Sequence, residues 1–239
     1  STLSSSSAAS DVYKRQIQGC FDRMEDRPQV LMDDCRGGYM ITKYLLDNGH
    51  RSIAGIFKAD DIQGQNRHRG YVQALQEAGM LYDPDKVIWF HTEDRKVHPR
   101  EGILRLLAKG ISLDAVVCYN DQIAMQIIPA LASRGIRVPE DISVTGYDNS
   151  CMAMGDGFHL TTIVHPQEKL GEMAAQLLLS LLRGETLQPE QSKILIQPEL
   201  VVGNSCCSRL RFSEEATNAH GERNVLCLLY TSDAADEED

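Results

Sequence analysis

Residues 134–149 read RGIRVPEDISVTGYDN, and nearly every position in that run has its own structural task. Gly135 falls where an amphipathic helix should end, because glycine takes the left-handed cap without steric cost. Pro139 fixes an extended approach. Ile142, Val144 and Tyr147 then build a short strand, which delivers Asp148 and Asn149 to its end. In open α/β sheets the ligand-binding groups emerge at the carboxyl ends of the strands. Asp148 is therefore a candidate binding residue, with an Asx turn closing the strand as its alternative role.

Outward from this segment, apolar runs alternate with helical periodicity. Strands are predicted near 29–33, 52–57, 86–90, 114–119, 142–147 and 194–202, and helices near 37–47, 65–78, 99–109, 121–134 and 166–183. Such alternation implies a parallel sheet with right-handed crossovers. Tyr39, Ile41, Leu45 and Leu46 lie along one side of the first helix, and Asn48-Gly49 stops it. Ile123, Ile127 and Leu131 share one face of the fourth, which Pro129 should kink by removing a backbone bond. Leu170, Met173, Leu177 and Leu181 form the buried stripe of the last.

The chain has 239 residues, 42% of them hydrophobic, and a net charge of -10. That is enough apolar material for a packed core, and the acidic balance argues against a phosphate-binding surface. No apolar run approaches the length of a membrane span. The seven cysteines form no CxxC pair and no metal-ligand spacing with the histidines, which suggests reduced thiols in a cytoplasmic protein. No HExxH pair, G-x-S-x-G elbow, P-loop or dinucleotide fingerprint occurs, so no enzymatic reading and no cofactor is supported. The ends, Ser1–Gln16 and Cys227–Asp239, share no pattern with the middle and resemble translated sequencing-adaptor strings.

The 134–149 segment resembles the signature of LacI/GalR-type effector domains, the sugar-sensing halves of bacterial repressors. The resemblance continues through LMDDCRGGYMITKYLLDNGHRSIAGIF at 31–57, VVCYNDQIA at 116–124, LTTIVHPQEKLGEMAAQLLLSLLRG at 160–184 and QPELVVGNS at 197–205. Within that family, FKADDIQGQNRHRGY at 57–71 is similar to the L-arabinose repressors of the AraR type. The resemblance implies an α/β, two-lobed periplasmic-binding-protein-like fold of parallel sheets flanked by helices, with the first lobe truncated. Residues 1–16 would be artefactual or disordered, 17–33 and 164–189 remnants of the first lobe, 34–163 and 190–205 the second lobe, and 206–239 a disordered or artefactual tail. The chain would be the C-terminal portion of a repressor that responds to L-arabinose. It would be a homodimer when full length and would reach operator DNA only through a missing N-terminal domain. A periplasmic sugar-binding protein of a transport system shares the architecture and is the alternative.

Sugar recognition needs rigid donor forks and paired acceptors aimed at vicinal hydroxyls, beside an apolar wall. The resemblance places Arg67, in an R-x-x-G-aromatic motif, and Asp148 among the ligand contacts; the alternative for Arg67 is a solvated arginine on a first helical turn. Asn120 either points into the cleft or caps the helix that follows, with Asp121 as the other capping candidate. Asp61 and Gln63 align with pocket-lining positions, and Lys58 and Asp60 follow from the arabinose-repressor resemblance; a charged surface loop is the alternative for all four. Gln167 sits beyond the third crossing between lobes, and Phe90 is either the apolar wall or a core residue at a strand end.

Overall fold

The computed structural model describes residues 16–17, 28–155, 157–185 and 193–210. The first half runs β1 (Gln16–Ile17), β2 (Gln29–Met32), α1 (Asp34–Asp47), β3 (Ile53–Lys58), α2 (Ile62–Glu77), β4 (Val87–Phe90) and α3 (His98–Ala108). The second half runs β5 (Ala115–Cys118), α4 (Asp121–Ala132), β6 (Ser143–Thr145), β7 (Met154–Gly155), β8 (Phe158–His159), β9 (Thr162–Val164), α5 (Gln167–Leu182), β10 (Lys193–Ile196) and β11 (Glu199–Val201).

Four of these strands form a parallel sheet in the order β4-β3-β5-β6. A strand covered by helices on both faces reads as a continuous apolar run, which is what IAGIFK and AVVC are. Successive side chains alternate between the faces. Ala54, Ile56, Val116 and Cys118 pack with Ile103, Leu106, Ile123, Ile127 and Leu131 from α3 and α4. Ile53, Phe57, Ala115 and Val117 pack on the other side with Ile41, Leu45, Tyr71 and Leu75 from α1 and α2. The two helices of that second layer touch backbone to backbone. A Cβ on Gly38 would lie 2.1 Å from the Arg67 carbonyl, and one on Gly70 would lie 2.0 Å from the Cys35 carbonyl.

Helix boundaries follow their caps. Asp33, Asp61 and Asn120 each accept a hydrogen bond from the backbone three residues on, opening α1, α2 and α4. Gly135 takes the left-handed conformation expected of it, with φ +73°. Pro129 lies in the last turn of α4, where it withholds only one hydrogen bond, and the helix runs on to Ala132.

A smaller parallel sheet, β1-β2-β10, is covered by α5 through Val30, Leu170, Leu177 and Ile196. Two expected boundaries are corrected here. The single strand expected over 194–202 is two strands broken before Pro198, and the halves part company: β10 pairs with β2, while β11 pairs antiparallel with β9. Residues 190–205 therefore do not all join the unit built from 34–163. A tail is expected from residue 206, but residues within 206–210 bond to the rest of the chain. Cys207 donates its backbone N–H to Ser143 Oγ at 3.1 Å, and Arg209 donates its N–H to the Asn48 carbonyl at 2.6 Å. Those two bonds tie the segment after β11 across β6 to the end of α1. The proposed boundary at 16/17 falls inside β1; residues 1–15, 18–27 (most of the expected 17–33 remnant), 156, 186–192 and 211–239 lie outside the described residues. Among the described residues no helix is long and apolar enough to cross a membrane, and no cluster of His, Cys, Asp or Glu is arranged to hold a metal ion.

Candidate functional site

The carboxyl ends of β3, β4, β5 and the segment after β6 bring Lys58, Thr92, Tyr119, Asn120 and Asp148 to one edge of the sheet, as parallel crossovers require. A cleft of about 260 Å³ opens there. Lys58, Phe90, Tyr119 and Asn120 form one part of its lining, and Thr92, Arg95, Gln122 and Ile123 the rest. Phe90 is 1% exposed and meets the Tyr119 ring edge-on, with centroids 5.7 Å apart. It is core residue and cleft wall at once.

The acidic loop beside the cleft is internally neutralised. Lys58 Nζ lies 3.0 Å from Asp61 and 3.7 Å from Asp60. Asp61 Oδ1 caps α2 by accepting from the Gly64 N–H at 2.6 Å, and its Oδ2 accepts from the Tyr119 hydroxyl at 2.8 Å. Asp60 accepts from the backbone N–H and hydroxyl of Thr92 at 3.0 and 2.7 Å. Those bonds, the hydroxyl's above all, hold its carboxyl well below the usual range. Lys58, Asp60 and Asp61 are thus not a loose charged loop but a connected set.

Arg67 is the buried centre of a second group. Its Nε donates to Asp34 Oδ1 at 2.8 Å and its Nη1 to the Tyr119 carbonyl at 2.7 Å. The guanidinium carbon sits 3.5 Å from the Tyr147 ring centroid and 4.7 Å from that of Tyr119. At 3% exposure it is not the solvated arginine that residue type alone would suggest. Burial opposes its charge, but Asp34, both tyrosines and Asp148 outweigh that and raise its pKa. Asp34, which faces it, has its carboxyl pushed up by burial against the pull of Arg67.

Asp148 lies 3.8 Å from Arg67 Nη1. Burial pushes its carboxyl up to about 6, opposed by Arg67 and by a hydrogen bond from Asn120, and aided by the neighbouring Asp121. Asn120 therefore does two things. Its Oδ1 caps α4 by accepting from Ile123 N–H at 3.1 Å, while its side chain also bonds Asp148. The cap falls to Asn120 and not Asp121 because Asn120 has extended backbone angles, φ -153° and ψ 177°, and Asp121 is already helical.

Of the expected site residues, Lys58, Phe90 and Asn120 line the cleft, Asp60 and Asp61 pair with Lys58 beside it, and Arg67, stacked on the Tyr119 ring, lies near Asp148. Gln63 is half-buried in the first turn of α2, and Gln167 is exposed at the start of α5; neither lines the cleft. Sequence reasoning missed Asp34, Thr92, Arg95, Tyr119, Gln122 and Tyr147. Tyr119 is the last residue of the strand predicted at 114–119 and Thr92 lies two residues past the one predicted at 86–90, so the strand-end rule could have found them. Asp34 directly follows the strand predicted at 29–33 and carries the same signal.

Comparison with known proteins gives a consistent set of relatives. The family described as a periplasmic binding protein-like domain matches residues 42–206. An arabinose metabolism transcriptional repressor of Halalkalibacterium halodurans is 40% identical over 179 residues, 73% of this chain and 48% of the relative. The HTH-type transcriptional repressor PurR of Pasteurella multocida is 38% identical over 178 residues, covering 73% and 51%. Among solved structures, a transcriptional regulator CelR–cellobiose complex superposes with a TM-score of 0.68 at 33% identity, over 76% of this chain and 54% of that one. The chain spans about half the length of the curated relatives it matches.

Proposed function

Since the chain belongs to the periplasmic binding protein-like family, as an effector domain of the LacI/GalR type, we propose that it is the sugar-sensing portion of a transcriptional repressor whose effector is L-arabinose. The observation that carries this reading is the convergence at one sheet edge of a buried arginine, a carboxylate with raised pKa, amide groups and an aromatic wall. A sugar offers vicinal hydroxyls that both donate and accept, with apolar C–H faces between them. Asp148 and Asp60 supply acceptors, Asn120 and Thr92 supply mixed groups, and Tyr119 with Phe90 supplies the apolar surface. Arg67 is fixed by Asp34 and the two tyrosines, so little side-chain entropy is lost when a ligand meets it.

The two parallel sheets act as two lobes, with β2, α5 and β10 in one and β3 to β6 in the other. The connections at Asp33–Asp34 and Ile163–Val164 are the crossings between them, where a few residues absorb a hinge motion. Sugar favours one arrangement, and the difference alters affinity for operator DNA bound through a separate N-terminal domain; such couplings amount to about 1–3 kcal/mol. The protein works in the cytoplasm as a homodimer. L-arabinose is chosen over other sugars because Lys58, from the arabinose-repressor-like loop, lines the cleft and pairs there with Asp60 and Asp61 of the same loop. A transport role fits less well, since the relatives are repressors.

The test is calorimetric titration with L-arabinose beside D-xylose, D-glucose and cellobiose. L-arabinose should bind most tightly. Preference for cellobiose or a hexose would overturn the choice of effector, and binding of a planar base such as hypoxanthine in place of every sugar would overturn the sugar-sensing reading.

A further inference from the structure

The dipeptide Asn120-Asp121 at the start of α4 offers two potential caps, and Asn120 takes the role. The Asp121 side chain is thereby left to face inward, where it is 1% exposed. It does not sit idle. Its Oδ2 accepts from the backbone N–H of Ser150 at 2.7 Å, and its Oδ1 accepts from the Thr162 hydroxyl at 2.6 Å. Its own backbone N–H donates to the Tyr147 carbonyl at 2.8 Å. One residue therefore grips both ends of the segment Tyr147–Ser150.

Between those grips the backbone is unusual. Asp148 has φ +103° and Asn149 φ +47°, and for an aspartate the first value lies in territory that glycine normally occupies. Such a conformation persists only when its surroundings over-determine it. Thr162 completes the constraint: its hydroxyl, which donates to Asp121, also accepts from the Asn149 N–H at 3.3 Å. Asp148 N–H donates to the Ile163 carbonyl at 2.8 Å, and the His165 N–H donates to the Asp148 carbonyl at 3.3 Å. Asp121 also explains Gly146, since a Cβ there would lie 2.2 Å from Asp121 Oδ1.

We propose that Asp121 and Thr162 are positioning residues for the effector site: their hydrogen-bonded pair holds Asp148 in the left-handed conformation from which its carboxylate faces Arg67 and Asn120. The role in binding rests on the sugar-sensing reading above; the positioning itself does not. Thr162 also begins the strand that leads into α5, so the same bond links the Asp148 segment to the connection between the two sheets.

The experiment compares the full chain with Thr162→Val, which keeps the side chain's shape without its hydroxyl, Thr162→Ser, which retains it, and Asp121→Asn. Ile127→Val, a core change on α4 away from the site, controls for simple loss of stability. Two readouts are taken: L-arabinose affinity by calorimetry, and the titration of the Asp148 carboxyl by carbon NMR without ligand. Thr162→Val and Asp121→Asn should weaken L-arabinose by about tenfold or more, the worth of one hydrogen bond to a charged group. Thr162→Ser and Ile127→Val should leave it nearly unchanged. The Asp148 carboxyl, held near 6 in the parent chain, should move toward the ordinary value of about 4 in Thr162→Val. Should Thr162→Val not fold, Thr162→Ala carries the same titration test, because it removes the hydroxyl and leaves the Asp121 charge in place. A parent chain that ignores L-arabinose refutes the sugar reading alone, and the titration still decides the positioning. An Asp148 titration unmoved in Thr162→Val or in its Thr162→Ala substitute, or equal weakening by Ile127→Val and Thr162→Val, overturns the proposal.

Discussion

Arg67→Met keeps most of the arginine stem's volume and removes the charge that faces Asp34. In the parent chain the two side chains are 4% and 7% exposed, with Nε and Oδ1 2.8 Å apart. Removing one partner of a buried pair costs about 3–5 kcal/mol, because the other charge is left without compensation. Loss of the contact with Tyr147, 3.5 Å from the guanidinium carbon, adds roughly 1 kcal/mol. A domain's whole stability is only about 5–15 kcal/mol, so the change is large. In urea, with a slope of about 2 kcal/mol per molar, the midpoint should fall by about 2 M.

The pH dependence identifies the cause. Burial already holds the Asp34 pKa above its ordinary value despite Arg67, and without Arg67 the rise must be greater. A carboxyl whose folded pKa exceeds its unfolded value destabilises the fold while ionised. That penalty disappears as the pH falls through the folded value toward the unfolded one near 4. The deficit of Arg67→Met should thus be greatest at pH 8 and narrow toward pH 5, and adding Asp34→Asn should recover at least half of it. A variant within about 1 kcal/mol of the parent at pH 8, the value of an exposed pair, would refute the buried-pair account. So would a deficit that ignores pH.

L-arabinose affinity should fall as the pH drops through about 6, where the Asp148 carboxyl takes up a proton and ceases to be a pure acceptor. The sign for the ligand-free fold is opposite, since a raised carboxyl pKa favours folding as it protonates; a flat calorimetric profile from pH 8 to 5 would remove Asp148 from the binding step. Gly70→Ala should loosen α1 against α2, because its Cβ would lie 2.0 Å from the Cys35 carbonyl and 2.5 Å from the Tyr39 nitrogen. Overpacking of this kind costs about 1–3 kcal/mol or more, and a melting temperature equal to the parent's would show that the helix pair can separate freely.

Residues whose roles depend on local chain geometry were legible in the sequence, and those whose roles depend on strand order were not. Gly135, the helix stops and the strand-end position of Asp148 follow from backbone preferences over a few residues. Asp34 reaches Arg67 across 33 residues, and Thr162 reaches Asp121 across 41. No periodicity encodes such pairs, because crossovers decide which strand ends become neighbours. Residues 193–201 show the same limit. Their apolar pattern announces strand, yet Lys193–Ile196 joins β2 and Glu199–Val201 joins β9, a choice made by partners far away in the chain. Asn120-Asp121 is an intermediate case, where both residue types cap well and only the backbone angles decide between them. That decision has consequences beyond the helix. Had Asp121 taken the cap, its carboxylate would have been spent on the first turn of α4 and its bonds to Ser150 and Thr162 lost. The strained Asp148 segment would then lose two of the bonds that over-determine it. On the positioning proposal, a one-residue choice of helix start thus sets how firmly the strand end presents a carboxylate to Arg67.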